Sequence, residues 1–123
     1  QEKIQHVDAV LSLDDVHWKT FAEIDALAPF GVENEKPVFL FKDIEIAAVR
    51  LFGKQKEHLG LDFRSSAGKK ISAIGFFMTH ETFPNVTLGA GERIDMIATF
   101  ERSTFRNMVE LRLRIETILS KSS

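Results

Sequence analysis

Basic and aromatic side chains are concentrated between residues 46 and 77, and arginines recur near the C-terminus. The candidate contacts for a ligand are Arg50, Lys54, Lys56, His58, Arg64, Lys69, Lys70, Phe76, Arg112 and Arg114. Lys and Arg can bind the phosphates of a polyanion, and flat rings can stack on bases. Cations with rings among them therefore predict a surface that holds a single-stranded nucleic acid.

Three consecutive β-strands are predicted to position these side chains. The predicted strands cover residues 46–52, 58–64 and 71–77. In the second strand, Leu59, Leu61 and Phe63 alternate with polar residues or glycine, so one face is apolar and the other is wet. The wet face then carries His58 and Arg64, and the polar turns between the strands carry the lysines.

The remaining strands predict a small barrel. Two later strands, at 93–100 and 108–118, follow an irregular connection over 78–90 and are joined by a turn at 103–107. In the last strand, Val109 is expected to face inward. This order matches an OB-fold, so the predicted fold class is mainly β: a five-stranded OB-fold Greek-key barrel with an N-terminal strand-helix-loop extension. Another small barrel, or an open sheet with one packed helix, is the alternative.

The predicted extension contains one helix. Ser12 is expected to cap this helix, with Asp15 near the capping-box position, and the helix runs to about Leu27. His17 lies in its apolar stripe and is expected to be packed and hydrogen-bonded rather than a ligand. A short strand is predicted at 38–41.

The length of 123 residues predicts one structural unit. Within it, residues 1–45 are the extension packed on the barrel, 46–118 are the barrel and 119–123 are a frayed tail. A proline-bounded loop at 29–37 is expected to fix the helix against the barrel. The chain begins with Gln1 rather than Met, which we interpret as a sign of a piece excised from a longer protein.

Charge is distributed unevenly along the chain. Residues 1–45 hold ten acidic and four basic residues, for −6, whereas residues 46–123 hold eight acidic and twelve basic residues, for +4. Such a split indicates a polyanion partner. A solvated surface with uneven charge is the alternative.

The chain has no cysteine, no apolar run near the ~18–20 residues of a membrane span and no signal-peptide pattern, so we predict a cytoplasmic protein without a membrane partner.

No catalytic motif is visible in the sequence. It lacks a nucleotide-binding glycine loop, an HExxH motif and a nucleophile elbow, and its four histidines are scattered. We therefore predict a binding or positioning module with no catalytic or metal site and no cofactor of its own.

Most of the eleven phenylalanines must be core, and Phe52, Phe76 and Phe77 are the candidates for an exposed ring. Arg112 and Arg114 alternate with glutamates, so cross-strand charge pairing is an alternative to DNA contact.

Several segments together resemble RecJ-type single-stranded-DNA-specific exonucleases. The first is Leu27-Ala28-Pro29-Phe30-Gly31 with Asn34, Pro37, Val38 and Phe39, which is similar to the family segment L-x-P-F-G-x-x-N-x-x-P-x-F. Others are Val49-Arg50, Gly53-Lys54, His58-Leu59 with Leu61, and Ala73-Ile74-Gly75-Phe76; Ile94-Asp95 and the strand 111–115 lie where that family's barrel ends.

The resemblance implies an OB-fold domain that holds single-stranded DNA in repair and recombination and feeds its 5′ end to an active site. It implies that hydrolysis occurs in separate phosphoesterase domains of the same protein, which use Mn²⁺ or Mg²⁺. This chain departs from the family pattern at Glu35, at Gly60, where lysine is common, and in the turn before the last strand. The loss of a lysine and the gain of glutamates predict weaker DNA contact than is usual in the family, or contact that depends on the other domains.

Two other functions remain open. The acidic first third and Trp18 could dock on the catalytic domains or a repair partner, which would make the chain a structural module. An independent enzyme is the least favoured, because it would need a metal or cofactor.

Overall fold

Seven strands form one sheet in the computed structural model, which describes residues 6–26 and 36–121. The strands are β1 (Ala9–Leu11), β2 (Phe39–Glu45), β3 (Ala48–Phe52), β4 (His58–Arg64), β5 (Lys70–Gly75), β6 (Arg93–Phe105) and β7 (Met108–Ser120). Their order in the sheet is β1-β2-β6-β7-β5-β4-β3. Two pairs are parallel, β1 with β2 and β5 with β7; the others are antiparallel.

The predicted three-stranded meander is present as β3, β4 and β5. In β4, Leu59, Leu61 and Phe63 are completely buried, while Arg64 is exposed, as the alternation predicted. The third strand is shorter than predicted because it ends at Gly75. Phe77 has φ of 58°, which an extended strand cannot accommodate, so it lies in a turn.

The chain passes between β2 and β3 through Ile46 and Ala47 alone. The Ile46 N–H donates to the Glu92 carbonyl at 2.8 Å and the Gly91 N–H donates to the Ile46 carbonyl at 2.8 Å, so Ile46 continues the β6 side of the sheet. The Ala47 N–H donates to the Asp62 carbonyl at 2.7 Å, on the β4 side. The chain thus changes its hydrogen-bonding partner from the β6 side to β4 between Ile46 and Ala47.

The mainly β class is confirmed, but the closed five-stranded barrel is not. Across the described ranges the sheet has seven strands, and its hydrogen-bonded ladder ends at β1 on one side and at β3 on the other. Strand β2 lies within the segment predicted as an extension, and it pairs with β6 from Phe39 to Glu45 across one irregularity. It also supplies Phe41 to the core, which is completely buried.

Strands β6 and β7 form a long hairpin. The predicted turn at 103–107 is wrong, because β6 continues through Phe105 and only Arg106 and Asn107 form the loop. Both loop residues have positive φ, 53° and 63°, as a type I′ hairpin turn requires. This turn preserves the twist of the two strands, so pairing continues to Phe105 and Met108.

The predicted single N-terminal helix is divided in two. A 3-10 turn covers Leu13–Asp15, and helix α1 covers Trp18–Asp25. The Ser12 N–H donates to the Asp15 carboxylate at 2.9 Å, so the predicted capping contact closes the 3-10 turn instead. His17 has extended backbone and accepts the Thr20 N–H at Nδ1 (3.3 Å), which begins α1.

His17 is half-buried and hydrogen-bonded, as predicted. The predicted helix end at Leu27 and most of the 29–37 loop, including Phe30, lie outside the described residues. In the described ranges, no helix is long and apolar enough to cross a membrane.

Candidate nucleic-acid interface

The turn between β3 and β4 presents two unpaired lysines. The Lys54 and Lys56 side chains are exposed, and neither makes a hydrogen bond or ion pair within the part of the chain that the structure describes. The turn is fixed by Gly53, at φ of 99°, and by the Gln55 N–H, which donates to the Glu57 carboxylate at 3.0 Å. Backbone N–H groups bonded to Glu57 lower the pKa of that carboxyl. The two lysines therefore extend from an ordered turn.

His58 follows this turn and lies among three phenylalanine rings. Its ring centroid is 5.2 Å from Phe52, 5.1 Å from Phe76 and 4.7 Å from Phe77. Its Nδ1 accepts the Phe77 backbone N–H at 2.9 Å, and its Nε2 lies 3.6 Å from the Glu57 carboxylate. Because a backbone N–H can only donate, Nδ1 carries no proton in this arrangement.

Phe76 and Phe77 have different surroundings. Phe76, the predicted stacking residue, is half-buried, and the Arg114 guanidinium lies 4.6 Å from its ring centroid. Phe77 is 77% exposed. Its left-handed backbone costs a bulky residue on the order of 1–3 kcal/mol. Phe77 is one of the three phenylalanines that the sequence offered as exposed rings, but the sequence did not indicate the reversal of the chain that exposes it, and it missed the exposed Phe105.

Arg112 and Arg114 are partly neutralised on β7. Arg112 donates to the Glu101 carboxylate from Nε at 2.8 Å and from Nη2, and Arg114 Nη2 lies 2.8 Å from its other oxygen. Among the described residues, the buried Nε of Arg114 has no partner. The alternative of cross-strand charge pairing is therefore present, with Glu101 of β6 as the partner instead of the alternating glutamates of β7. Two arginines on one carboxylate leave one net positive charge.

Arg50 lies flat across β4. Its side chain passes over Gly60, the residue opposite it in the ladder, and its Nη1 donates to the Asp62 carboxylate at 3.0 Å. A Cβ on residue 60 would lie 2.9 Å from Arg50 Cζ. The missing side chain at Gly60 thus makes room for a guanidinium on the outer face, and the Ser72 hydroxyl holds Asp62 at 3.1 Å.

The turn between β4 and β5 forms the other end of this face. Arg64 donates to the Gly68 carbonyl at 3.2 Å, and Lys69 donates to the Val16 carbonyl at 3.2 Å. Lys70 is exposed, and its side chain has no hydrogen bond or ion pair with any residue in the described ranges. His58 and Arg64 are separated by six residues of extended chain, which is about 20 Å.

The β4–β5 turn is also tied to the N-terminal segment. Asp14 accepts the Ser66 N–H at 2.8 Å and the Ser66 hydroxyl at 2.7 Å. These two bonds lower the pKa of the Asp14 carboxyl. The predicted contacts therefore occupy two ends of one sheet face, with Arg50 between them.

An exposed apolar tip was not predicted. At the β6–β7 loop, Phe105, Met108 and Val109 are 69%, 71% and 55% exposed, and the Arg106 guanidinium lies 5.1 Å from the Phe105 ring centroid. The prediction that Val109 faces inward is wrong, because the hairpin extends past its neighbours: β5 pairs with β7 only at positions 113 and 114. Alternation within one strand cannot reveal where the adjacent strand ends.

The described residues do not fit a metal centre. Within residues 6–26 and 36–121, no group of three or more His, Asp or Glu side chains is placed to hold a metal ion.

Comparison with known proteins supports the resemblance seen in the sequence. The single-stranded-DNA-specific exonuclease RecJ of Bacillus subtilis (strain 168) is 32% identical over 73 residues, which are 59% of this chain and 9% of that protein. Two crystal structures of RecJ from Thermus thermophilus share the fold at 13% identity. The complex with Mg²⁺ has a TM-score of 0.65 and covers 94% of this chain and 16% of that chain. The complex with Mn²⁺ has a TM-score of 0.62 and covers 85% and 14%.

The chain thus spans only a small part of the length of these relatives. Residues 7–117 match the family described as the RecJ OB domain, so the match extends over nearly the whole chain. The predicted resemblance is confirmed, and this chain belongs to the RecJ OB domain family.

Proposed function

We propose that this chain is the single-stranded-DNA-binding OB domain of a cytoplasmic RecJ-like 5′–3′ exonuclease that acts in DNA repair and recombination. It positions the substrate strand for phosphoesterase domains of the same protein, outside this chain, which use Mn²⁺ or Mg²⁺. The observation that carries the proposal is that Lys54 and Lys56, which have no partner among the described residues, lie on a turn that packs against His58, whose ring contacts the exposed ring of Phe77. Cations beside a flat ring match the two parts of a nucleotide, its phosphate and its base.

The topology supports the OB assignment. If β2 and β3 are two halves of one strand bent at Ile46 and Ala47, the six strands after β1 read as five, with a parallel pair between the third of these, β5, and the last, β7. The bent strand then pairs with β6 through one half and with β4 through the other. OB-folds bind nucleic acids on the face of their second and third strands, here β4 and β5.

The face of β4 and β5 offers a path for a strand. Lys54 and Lys56 lie at one end, Arg50 lies across the middle and Lys70 lies at the other end. Arg64 and Lys69 make backbone contacts and contribute charge from the same end. Phosphate contacts of this kind release counterions, so binding must weaken as salt rises.

A titration of the 123-residue chain tests the proposal. Fluorescence anisotropy with labelled oligothymidylate at low and moderate salt should show salt-sensitive binding, stronger than to duplex of the same length. The triple substitution of Lys54, Lys56 and Lys70 to Gln should reduce the magnitude of the negative slope of log K against log salt by about 2, at about 0.7 per phosphate contact. The control is Lys19→Gln, an exposed lysine on α1. An unchanged slope in the triple variant would refute the assigned path.

Docking on another domain or a repair partner is the second candidate function. The exposed Phe105, Met108 and Val109 favour it, because clustered apolar side chains at the surface mark interaction sites. Charge reversal at Lys54, Lys56, Lys69 and Lys70 in the complete exonuclease separates the two functions. Loss of nuclease activity supports DNA holding, whereas intact activity supports docking.

A further inference from the structure

Phe77 combines exposure with an unfavourable backbone. In the described ranges, the other non-glycine residues with positive φ are all polar or charged, and Phe77 alone is apolar. A large apolar ring at this position gains almost nothing from burial, because 77% of it is exposed. Backbone strain with no compensating burial indicates a function for the ring itself.

The turn that carries Phe77 is held from two sides. His58 Nδ1 accepts the Phe77 N–H at 2.9 Å, and the His58 ring lies edge-on to the Phe77 ring at 4.7 Å. On the other side, Met78 packs on Gly75 so closely that a Cβ there would be 2.6 Å from Met78 Sδ. The backbone that carries the ring is therefore held before any ligand arrives.

The surroundings of Phe77 indicate which ligand it meets. His58 belongs to β4 immediately after the turn that carries Lys54 and Lys56, and a Cβ on Gly53 in that turn would lie 2.8 Å from the His58 ring. The exposed ring and the turn that carries the two lysines thus both contact the same histidine. Glu57 is the carboxylate nearest to His58, and its bond to the Gln55 N–H turns it back onto its own turn.

We propose that Phe77 is a base-stacking site for single-stranded DNA and that His58 is its positioning residue. The ring stacks on one base while Lys54 or Lys56 binds a neighbouring phosphate. This inference rests on the proposed function and adds to it the residue that contacts a base. Because every base has a π-face, the site holds any sequence.

Substitution of Phe77 by glycine tests the role of the ring without disturbing the fold. Phe77→Gly removes the ring and suits φ of 58°, so the urea midpoint should not fall. Its affinity for oligothymidylate should fall at least about fivefold, with an unchanged salt slope. For an abasic oligomer of the same length, which has phosphates but no bases, the variant and the unsubstituted chain should bind equally. Phe77→Trp should retain the affinity.

A fluorescent reporter tests stacking directly. The chain has a single tryptophan, so Phe77→Trp in a Trp18→Phe background places the only indole at the site. Oligothymidylate should quench its emission, and the abasic oligomer should not. His58→Asn, whose side-chain oxygen can accept the Phe77 N–H, should bind more tightly than His58→Leu, which cannot accept it.

The outcomes are distinct for the site and for the proposed function. Equal binding by Phe77→Gly and the unsubstituted chain overturns the site, and so does an equal loss with the abasic oligomer. Failure of the unsubstituted chain to bind oligothymidylate at low salt overturns the proposed function itself. Equal behaviour of His58→Asn and His58→Leu overturns the role of His58 alone.

Discussion

Under the proposed function, Gly60→Ala should weaken the binding of single-stranded DNA while leaving stability almost unchanged. An added Cβ would lie 2.9 Å from Arg50 Cζ and 3.0 Å from Arg50 Cγ, so the Arg50 side chain would have to move. The Arg50 side chain is 45% exposed and flexible, so it should swing into solvent without moving the backbone. The guanidinium then loses Asp62, and Arg50 becomes a mobile charge where it was a fixed one.

Two opposing effects on the free energy of unfolding almost cancel. Loss of the partly exposed Arg50–Asp62 ion pair costs on the order of 1 kcal/mol. Removal of a glycine from a strand interior returns about 0.5–1 kcal/mol. The unfolding free energy, measured by urea titration with Trp18 fluorescence, should therefore change by less than about 1 kcal/mol.

The expected effect of Gly60→Ala on affinity is larger than its expected effect on the free energy of unfolding. Ordering a free arginine on the DNA costs about 0.5–1.5 kcal/mol, so affinity for oligothymidylate should fall about two- to tenfold. The salt slope should not change, because the charge remains available. Arg50→Ala removes the charge and should reduce the magnitude of the negative salt slope by about 0.7.

Gly89→Ala is the matched control for Gly60→Ala. A Cβ on residue 89 meets only Glu92 Cγ, at an ordinary 3.9 Å. This variant should bind like the unsubstituted chain. If Gly60→Ala binds normally while Arg50→Ala is weakened, the fixed orientation of Arg50 is irrelevant. A loss of more than about 2 kcal/mol in stability would mean that the backbone, rather than the arginine, yields.

Three further predictions concern the scaffold. Leu61→Ala should cost about 2–5 kcal/mol because Leu61 is completely buried, whereas Leu119→Ala, at a 45% exposed position, should cost far less; similar losses in urea would contradict the strand register. Asp14 should titrate below the usual pKa of 3.8 in an NMR pH titration, so the stability that it contributes is present above that pH and is lost as pH falls through its lowered pKa. Ser66→Ala should raise the pKa of Asp14, and an unchanged pKa would contradict the contact. Asn107→Gly should raise the unfolding free energy by a few tenths of a kcal/mol, because glycine suits φ of 63°, and a lower midpoint would contradict the type I′ turn.

Local patterns in the sequence predicted the meander well. The alternation of Leu59, Leu61 and Phe63 is a period-two signal that depends only on which face is buried, and the structure confirms it. The split of the N-terminal helix was not predictable in the same way. His17 lies on the apolar stripe, yet its ring accepts the Thr20 N–H and starts a new helix there, which a periodicity count does not register.

Long-range pairing accounts for the other differences. Glu101 pairs with both Arg112 and Arg114 because β6 and β7 align these residues, and nothing in the β7 sequence indicates that register. Arg50 and Gly60 likewise meet only through the pairing of β3 with β4. The type of each candidate side chain could be predicted, whereas its partners depend on strand alignment.

The change of hydrogen-bonding partner between Ile46 and Ala47 has a consequence for the cooperativity of unfolding. The Ile46 amide is bonded toward β6 and the Ala47 amide toward β4, so two adjacent peptide groups join both parts of the sheet. Opening either part alone would strain the other through this pair. We expect both amides to exchange with deuterium at the rate set by global unfolding, and the two parts of the sheet to behave as one foldon.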